Sequence, residues 1–380
     1  MTKFSQYKIL YVTFLVMVLL LTACSTIKED NRNLNKETPI EESPKNNIDL
    51  KKTIRYVGDF ELPVNGATGY TSISLDLKET ANLESNTLLT LNPGTGFEII
   101  KEESDWWYIR EGNKYGWLQH KYCFINLPDV IPSIVYDVTN TYSSKFRSSG
   151  KDIPNITGSA LYEGKSYNER LQKEEYIVPV LYNTAKKVYR SQQNALADGN
   201  SLKIYEGFRP YSVQMEVVEQ LKLLSAMDME VEKGINTYPW GITWFITKGV
   251  SNHQMGYGVD VGLVKINEMQ EIEIGNYVTT SVVSYEEFAM PSPIHELSGT
   301  SAIFTTPVSS LSPTDWKNST YTNSMNEPAL MLQVYFASSG FTPLASEWWH
   351  FNDLETMEQI KNNKSSGNFI LDKIYSQIPS

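Results

Sequence analysis

The sequence predicts a chain that mixes strands and helices, with an all-β stretch first and a mixed part after it. Three observations carry this. From about 56 to 128, apolar residues alternate, as at Phe97 and Ile99 or Trp107 and Ile109, and turn signals separate the runs at Asn92-Pro93-Gly94 and Glu111-Gly112-Asn113. Further on, apolar residues recur three times at helical spacing. Between those stretches, Leu202–Phe208 and the alternation Val259, Val261, Leu263 read as strands. With 380 residues and 41% hydrophobic content there is room for two cored domains.

The first residues read as a targeting segment. Lys3 and Lys8 precede an apolar run from Ile9 to Leu21, followed by Leu21-Thr22-Ala23-Cys24. A run of about 13 residues is short of the roughly 20 that span a bilayer, so a cleaved signal over 1–23 is expected rather than a membrane anchor. Its end resembles a bacterial lipobox, which implies lipidation at Cys24 and an extracytoplasmic protein held at the membrane, facing the cell wall. Residues 24–55 are rich in Asn, Lys, Glu and Ser and too poor in apolar side chains to form a core; they read as a disordered tether. The formal charge of −11 becomes −13 once residues 1–23 are removed. An acidic chain without a polybasic stretch argues against nucleic acid as a partner. With Cys24 lipidated, only Cys123 is left as a free thiol, in the apolar context Tyr122-Cys123-Phe124-Ile125, which reads as a buried structural thiol.

The β stretch is assigned to 56–128. Near Pro128 the composition changes, and 129–380 reads as the second domain. Residues 129–170 read as short strands and loops. The first helix is expected from Glu174 to Leu196, with Ile177, Leu181, Ala185 and Val188 on one face, Pro179 in its first turn and Gly199 as its stop. Leu202–Phe208 then delivers Arg209. Ser212 can cap a second helix with Val217, Leu221 and Leu224 inward. Residues 228–250 read as an insert or loop. A third helix is expected over Asn323–Ser339, with Leu330, Val334 and Ala337 inward, and after Phe351 come a closing helix and a polar tail.

The chemistry lies in two stretches, Ser251-Asn252-His253-Gln254-Met255-Gly256-Tyr257-Gly258-Val259-Asp260 and Glu347-Trp348-Trp349-His350. A catalytic zinc takes three protein ligands from imidazole and carboxylate and keeps one position open. His253, Asp260 and His350 are ligands of those types, and Glu347 is a spare carboxylate three residues before one of them. In a turn or helix that spacing puts Glu347 and His350 on one side, where Glu347 can act as general base. Gly256 and Gly258 suit a chain bent tightly between two ligands. The residues alone leave two readings open: one zinc site, or ordinary polar residues in loops.

The pattern Ser-x-His-x-x-Gly-x-x-x-Asp followed by Glu-x-x-His resembles the zinc D-alanyl-D-alanine dipeptidases and D,D-carboxypeptidases. Tyr205-Glu206-Gly207-Phe208-Arg209-Pro210 resembles a third segment of that family. The resemblance implies one Zn2+ per chain on His253, Asp260 and His350, with Glu347 as base and Arg209 stabilising the oxyanion. It also implies hydrolysis of the amide before a C-terminal D-Ala, in a peptidoglycan stem peptide or in D-Ala-D-Ala. The implied fold is α+β, a mainly antiparallel sheet with flanking helices. Ser251 has two readings, a substrate hydrogen bond by resemblance or a local turn bond.

The segment Phe288–Glu296 departs from the family. Ala289 stands where the dipeptidases place an acid for the free amine of the dipeptide, unless Glu286, Glu287 or Glu296 compensates. The chain is therefore expected to act as a carboxypeptidase ahead of a dipeptidase. His295 is either a partner that orients a metal ligand or a plain polar residue. Residues 56–128 resemble a bacterial SH3-like barrel, which implies binding to the cell wall. In it Trp107 and Trp117 read as core and Trp106 as the exposed candidate. Two further functions fit the sequence: a non-catalytic wall-binding lipoprotein, and a zinc endopeptidase cutting within the stem or cross-link.

Overall fold

Turns form at Asn92-Pro93-Gly94 and Glu111-Gly112-Asn113 as expected; the second joins two paired strands, and the strands around both belong to one antiparallel sheet. A computed structural model describes residues 53–379. The signal segment, Cys24 and most of the 24–55 tether lie outside the described residues. The last tether residues do not: Ile54 exchanges backbone hydrogen bonds with Asn276 and Val278 at 2.9 Å. Among the described residues, no helix is long and apolar enough to cross a membrane.

The first strands are β1 Thr68–Thr71, β2 Leu75–Lys78, β3 Thr87–Leu91, β4 Gly96–Glu103, β5 Trp106–Glu111, β6 Lys114–Gln119 and β7 Cys123–Asn126. The short helix α1 Leu127–Val130 follows. After β8 Val135–Tyr136 come two small hairpins, β9 Arg147–Ser148 with β10 Lys151–Asp152 and β11 Lys165–Asn168 with β12 Lys173–Tyr176. Then come β13 Pro179–Leu181, α2 Tyr182–Ala197, β14 Asn200–Glu206, α3 Tyr211–Met227, α4 Met229–Asn236 and α5 Asn252–Met255. A long hairpin of β15 Gly258–Ile274 and β16 Tyr277–Glu287 precedes α6 Glu327–Ser338, β17 Thr342–Leu344, β18 Glu347–Asn352 and α7 Leu354–Gln359.

The first sheet runs β13-β7-β1-β4-β5-β6-β2-β3. The second runs β17-β18-β15-β14-β8 with β16 on β15, all antiparallel except the β14–β8 pair. The protein is thus mixed α+β with antiparallel sheets. One apolar cluster is continuous through both sheets and α2: Phe97, Trp107 and Ile109 share it with Tyr182, Val188, Leu202, Val261 and Trp348. At the junction Tyr182 packs edge-on to Trp107, centroids 4.7 Å apart, and its hydroxyl donates to Glu102 at 2.7 Å.

Several expected elements sit elsewhere. The helix expected from Glu174 starts at Tyr182, because Pro179, Val180 and Leu181 instead pair with β7 and extend the first sheet. The second helix begins at Tyr211, so Ser212 lies inside it. Residues 228–250 are not all loop: Asp228 accepts from the backbone N–H groups of Glu230 and Val231 and starts α4. Helix α6 buries Ala329, Leu332 and Phe336, whereas Leu330 and Val334 face solvent. Trp106 is 9% exposed and not a platform. Trp117 instead lies on the outer face with Tyr108 and the exposed Tyr115, its ring 5.2 Å from that of Tyr108. The tail is not merely polar. Leu371 and Ile374 are buried against Tyr70, Phe124 and Phe208. Phe369 stacks on Phe208 at 5.0 Å, and Gln377 N–H donates to the Gly66 carbonyl at 2.7 Å.

Candidate metal centre

Three neighbouring strands set out the site. Glu206 on β14 pairs with Asp260 on β15, and Asp260 pairs with His350 on β18. His253 reaches the same point from α5. The chain between His253 and Asp260 turns at Gly256, in the left-handed region at φ 81°. A side chain there would start 2.2 Å from the Phe124 ring. At Gly258 a side chain would start 3.2 Å from Cε1 of His350. Gly256 has no room for a side chain, whereas at Gly258 the neighbours would have to give way by a few tenths of an ångström.

The ligand atoms form a triangle. His253 Nε2 lies 3.3 Å from Asp260 Oδ1 and 3.2 Å from His350 Nδ1, and His350 Nδ1 lies 2.9 Å from Asp260 Oδ1. A tetrahedral ion with ligand atoms about 2.0–2.1 Å away places neighbouring ligand atoms about 3.3 Å apart. The donor set and its spacing therefore fit zinc, and all three residues are buried.

The second ring nitrogen of each histidine is committed elsewhere. His253 Nδ1 donates to the Gly207 carbonyl at 2.7 Å, and His350 Nε2 donates to Asn352 Oδ1 at 2.9 Å. These bonds leave a lone pair on His253 Nε2 and on His350 Nδ1, the two atoms of the triangle. Asn252 Nδ2 donates to the same Asn352 oxygen at 2.6 Å, tying α5 to β18.

The charges are arranged around Asp260. Burial pushes its carboxyl up, but the close approach of His253, with His295 and His350 beside it, outweighs that and holds it well below the usual carboxylate range. Burial pushes His350 toward its neutral form, against the pull of Asp260. Arg209 Nη2 lies 3.4 Å from Asp260 Oδ2, while its Nε donates to Glu206 Oε2 at 2.7 Å and its Nη1 to Gln214 Oε1 at 2.6 Å. Burial opposes the charge of this guanidinium, but the Glu206 carboxylate outweighs it and raises the pKa. Asn140 and Tyr162 donate to the other Glu206 oxygen at 2.9 and 3.1 Å.

Glu347 Oε2 stands 4.0 Å from His350 Nδ1. The two residues lie on a strand, not in the turn or helix expected. An irregularity in the β17–β18 pairing, where Pro343 partners Phe351 but Leu344 partners Glu347, lets residues three apart face one cavity. Burial pushes the Glu347 carboxyl well above its usual range, Asp260 adds to that, and Arg209 opposes it.

The cavity holds about 440 Å³ and is lined by Arg209, Ser251, Glu347, Trp349 and the segment from Thr243 to Thr247. Every residue expected at the site lies here: His253, Asp260, His350, Glu347, Arg209 and Ser251. The Ser251 hydroxyl donates to Gln254 Oε1 at 2.6 Å, the local bond of its second reading, while Ser251 also lines the cavity. Trp348 and Trp349 are both buried. None of Glu286, Glu287 and Glu296 lines the cavity. Glu287 pairs with Lys203 at 2.6 Å, and Glu296 accepts from Gly150 N–H at 3.1 Å.

Sequence reasoning gave no role to Glu206, Gln214 or Asn352. Glu206 stood three residues before Arg209 in a segment already singled out, and that opposite-charge pair was its only signal. Comparison with models of known protein families finds no match, and a search of curated proteins finds no relative.

Proposed function

We propose that this chain is a zinc metallopeptidase that hydrolyses the amide before a C-terminal D-Ala in peptidoglycan stem peptides, with D-Ala-D-Ala as the lesser substrate. The observation that carries the reading is the triangle of His253 Nε2, Asp260 Oδ1 and His350 Nδ1 with the Glu347 carboxylate 4.0 Å from one corner. Zinc held there supplies Lewis acidity to the attacked carbonyl and the attacking water.

The chain's own residues do the rest. The charge of a bound zinc would offset the burial of Glu347 and hold it as the carboxylate; in that form it takes the proton of the attacking water and passes it to the leaving amine of D-Ala. Arg209, fixed by Glu206 and Gln214, presents a guanidinium where negative charge develops on the carbonyl oxygen. Trp349 and Phe245 help keep bulk water from the cavity.

The preference for a stem peptide has its own support. A free α-amine is a cation and wants a carboxylate, and among the described residues the acids lining the cavity are Asp260 and Glu347. A substrate whose amine is already acylated makes no such demand. Within the same reading, residues 56–128 are an SH3-like wall-binding module, and lipidation at Cys24 with the 24–55 tether holds the enzyme at the outer membrane surface.

The test is D-Ala release by the zinc-loaded chain lacking residues 1–24, from a stem pentapeptide and from D-Ala-D-Ala, with Glu347→Gln as control. Cleavage of the pentapeptide ahead of the dipeptide supports the reading. Tight zinc binding with neither substrate cut would sink it.

A further inference from the structure

His295 is the third of the chain's four histidines and none of its surface is exposed. Its ring stacks on Phe146, centroids 4.5 Å apart, and stands edge-on to Trp349 at 6.0 Å. Such a pocket suits an apolar side chain. The imidazole instead leaves Nδ1 buried without a hydrogen-bond partner among the described residues. Its backbone is also in the left-handed region, at φ 60°.

The surrounding chain enforces this conformation. Arg147 N–H donates to the His295 carbonyl at 3.2 Å and Leu297 N–H to the Arg147 carbonyl at 2.7 Å. The Ser148 hydroxyl donates to the Leu297 carbonyl at 2.7 Å. Strained residues held in place by their surroundings cluster at functional sites. Among the described residues, the ring's one polar contact is His295 Nε2 to Asp260 Oδ2, at 3.2 Å.

We propose that His295 is a positioning residue for the metal-binding carboxylate: its Nε2–H holds Oδ2 of Asp260, so that Oδ1 alone turns toward His253 and His350. The inference rests on the metal centre proposed above. Arg209 Nη2 is the second donor to Oδ2, at 3.4 Å, and its guanidinium lies over the same Phe146 ring, 5.1 Å from the centroid. Phe146 thus seats both groups that restrain Oδ2. With that oxygen occupied, Asp260 would offer a metal ion its other oxygen alone. Glu206, Asp260 and His295 also converge closely enough to suggest a second metal. The Arg209 guanidinium already lies against Glu206 and Asp260 there, so the protein supplies the positive charge itself.

The test uses the full chain and two readouts that need no substrate: zinc affinity by competition with a chromophoric chelator, and the visible absorption spectrum of the cobalt-loaded protein. His295→Phe fills the space without a donor. His295→Asn accepts the left-handed backbone but falls short of Asp260. His295→Gln retains a donor of similar reach. We expect the Phe and Asn variants to bind zinc about 10–100-fold more weakly and to shift the cobalt bands, and the Gln variant to recover most of both. Phe and Asn variants with unaltered affinity and spectrum overturn the proposal. So does failure of both variants to fold without metal, which would make His295 a structural residue. An unaltered chain that binds no zinc overturns the metal centre itself and this inference with it.

Discussion

Asp260 and His350 are direct partners across the antiparallel β15–β18 pair, and the ring nitrogen of one lies 2.9 Å from the carboxylate of the other. Two of the three candidate ligands are therefore fixed by strand register and not by loop conformation. Replacing either histidine of the triangle, His253→Ala or His350→Ala, is expected to abolish stoichiometric zinc binding with the fold retained. Glu347→Gln should keep full zinc content and lower D-Ala release about 10²–10⁴-fold. Metal analysis after dialysis against a chelator, run beside the activity assay, separates the two outcomes. Zinc loss in Glu347→Gln would contradict its role as base.

The turn that brings His253 back to Asp260 leaves no space at Gly256. A Cβ there meets the Phe124 ring at 2.2 Å in a backbone at φ 81°. Gly256→Ala should cost about 2 kcal/mol or more, from left-handed strain plus overpacking. Gly112→Ala is the control: φ is 55°, with nothing within 4 Å of the added carbon. Its cost should stay near 1 kcal/mol, from strain alone. Urea unfolding of the two variants measures the difference, and equal costs would mean that the Phe124 contact relaxes freely.

Glu61 sets a pH dependence remote from the metal centre. Burial pushes its carboxyl up to about 7, although hydrogen bonds from Ser133 and Thr279 pull the other way. In the unfolded chain the group titrates near 4.5. Between those values the folded state keeps a proton that the unfolded state has lost, so stability falls as pH rises from about 4.5 to 7 and then levels off. The loss is up to about 3 kcal/mol. Glu61→Gln should flatten this part of the profile, which unfolding at pH 5, 6, 7 and 8 tests. An unchanged slope would place the effect on other groups.

The two tryptophans of the first sheet should differ sharply. Trp107 is fully buried between Phe97 and Tyr182, whereas Trp117 lies on the outer face beneath the Lys101 ammonium, 4.7 Å from its ring. Trp107→Ala should cost about 3–5 kcal/mol, and Trp117→Ala about 1 kcal/mol or less. Similar losses in thermal unfolding would mean that both rings belong to the core.

Much of the candidate site was legible because its residues sit in short runs. Ser251 to Asp260 and Glu347 to His350 each carry two ligands, or a ligand and the base, at a spacing that local chain geometry can close. His295 had no such pattern. Its place depends on β9 and on Phe146, nearly 150 residues earlier in the chain. The start of α2 was misread for a similar reason. Residues Ile177 to Leu181 fit a helix by period, but Pro179–Leu181 finds hydrogen-bond partners in β7, which no local signal announces. In α6 the inner and outer faces both carry large apolar residues, so periodicity could not choose between Leu332 and Leu330. Trp106 and Trp117 were misjudged because alternation along a strand tells which residues share a face, not how deeply other elements cover it.

The tail that follows α7 touches both the beginning of the chain and the metal loop. Gly367 lies against Gln254, where a Cβ would come within 2.4 Å, and its carbonyl accepts from Tyr211 N–H at 2.9 Å, two residues past Arg209. The Lys373 carbonyl accepts from the Tyr70 hydroxyl at 2.7 Å. These contacts join parts of the chain that are far apart in sequence. A polypeptide emerging amino end first can pair β1 with β4 early, but the backing of its ligand loop waits for residues near 367 and its first sheet for residues near 377. The candidate ligand loop is thus backed in part by residues near 367, and a chain cut short by some 15 residues would carry every candidate ligand without that backing.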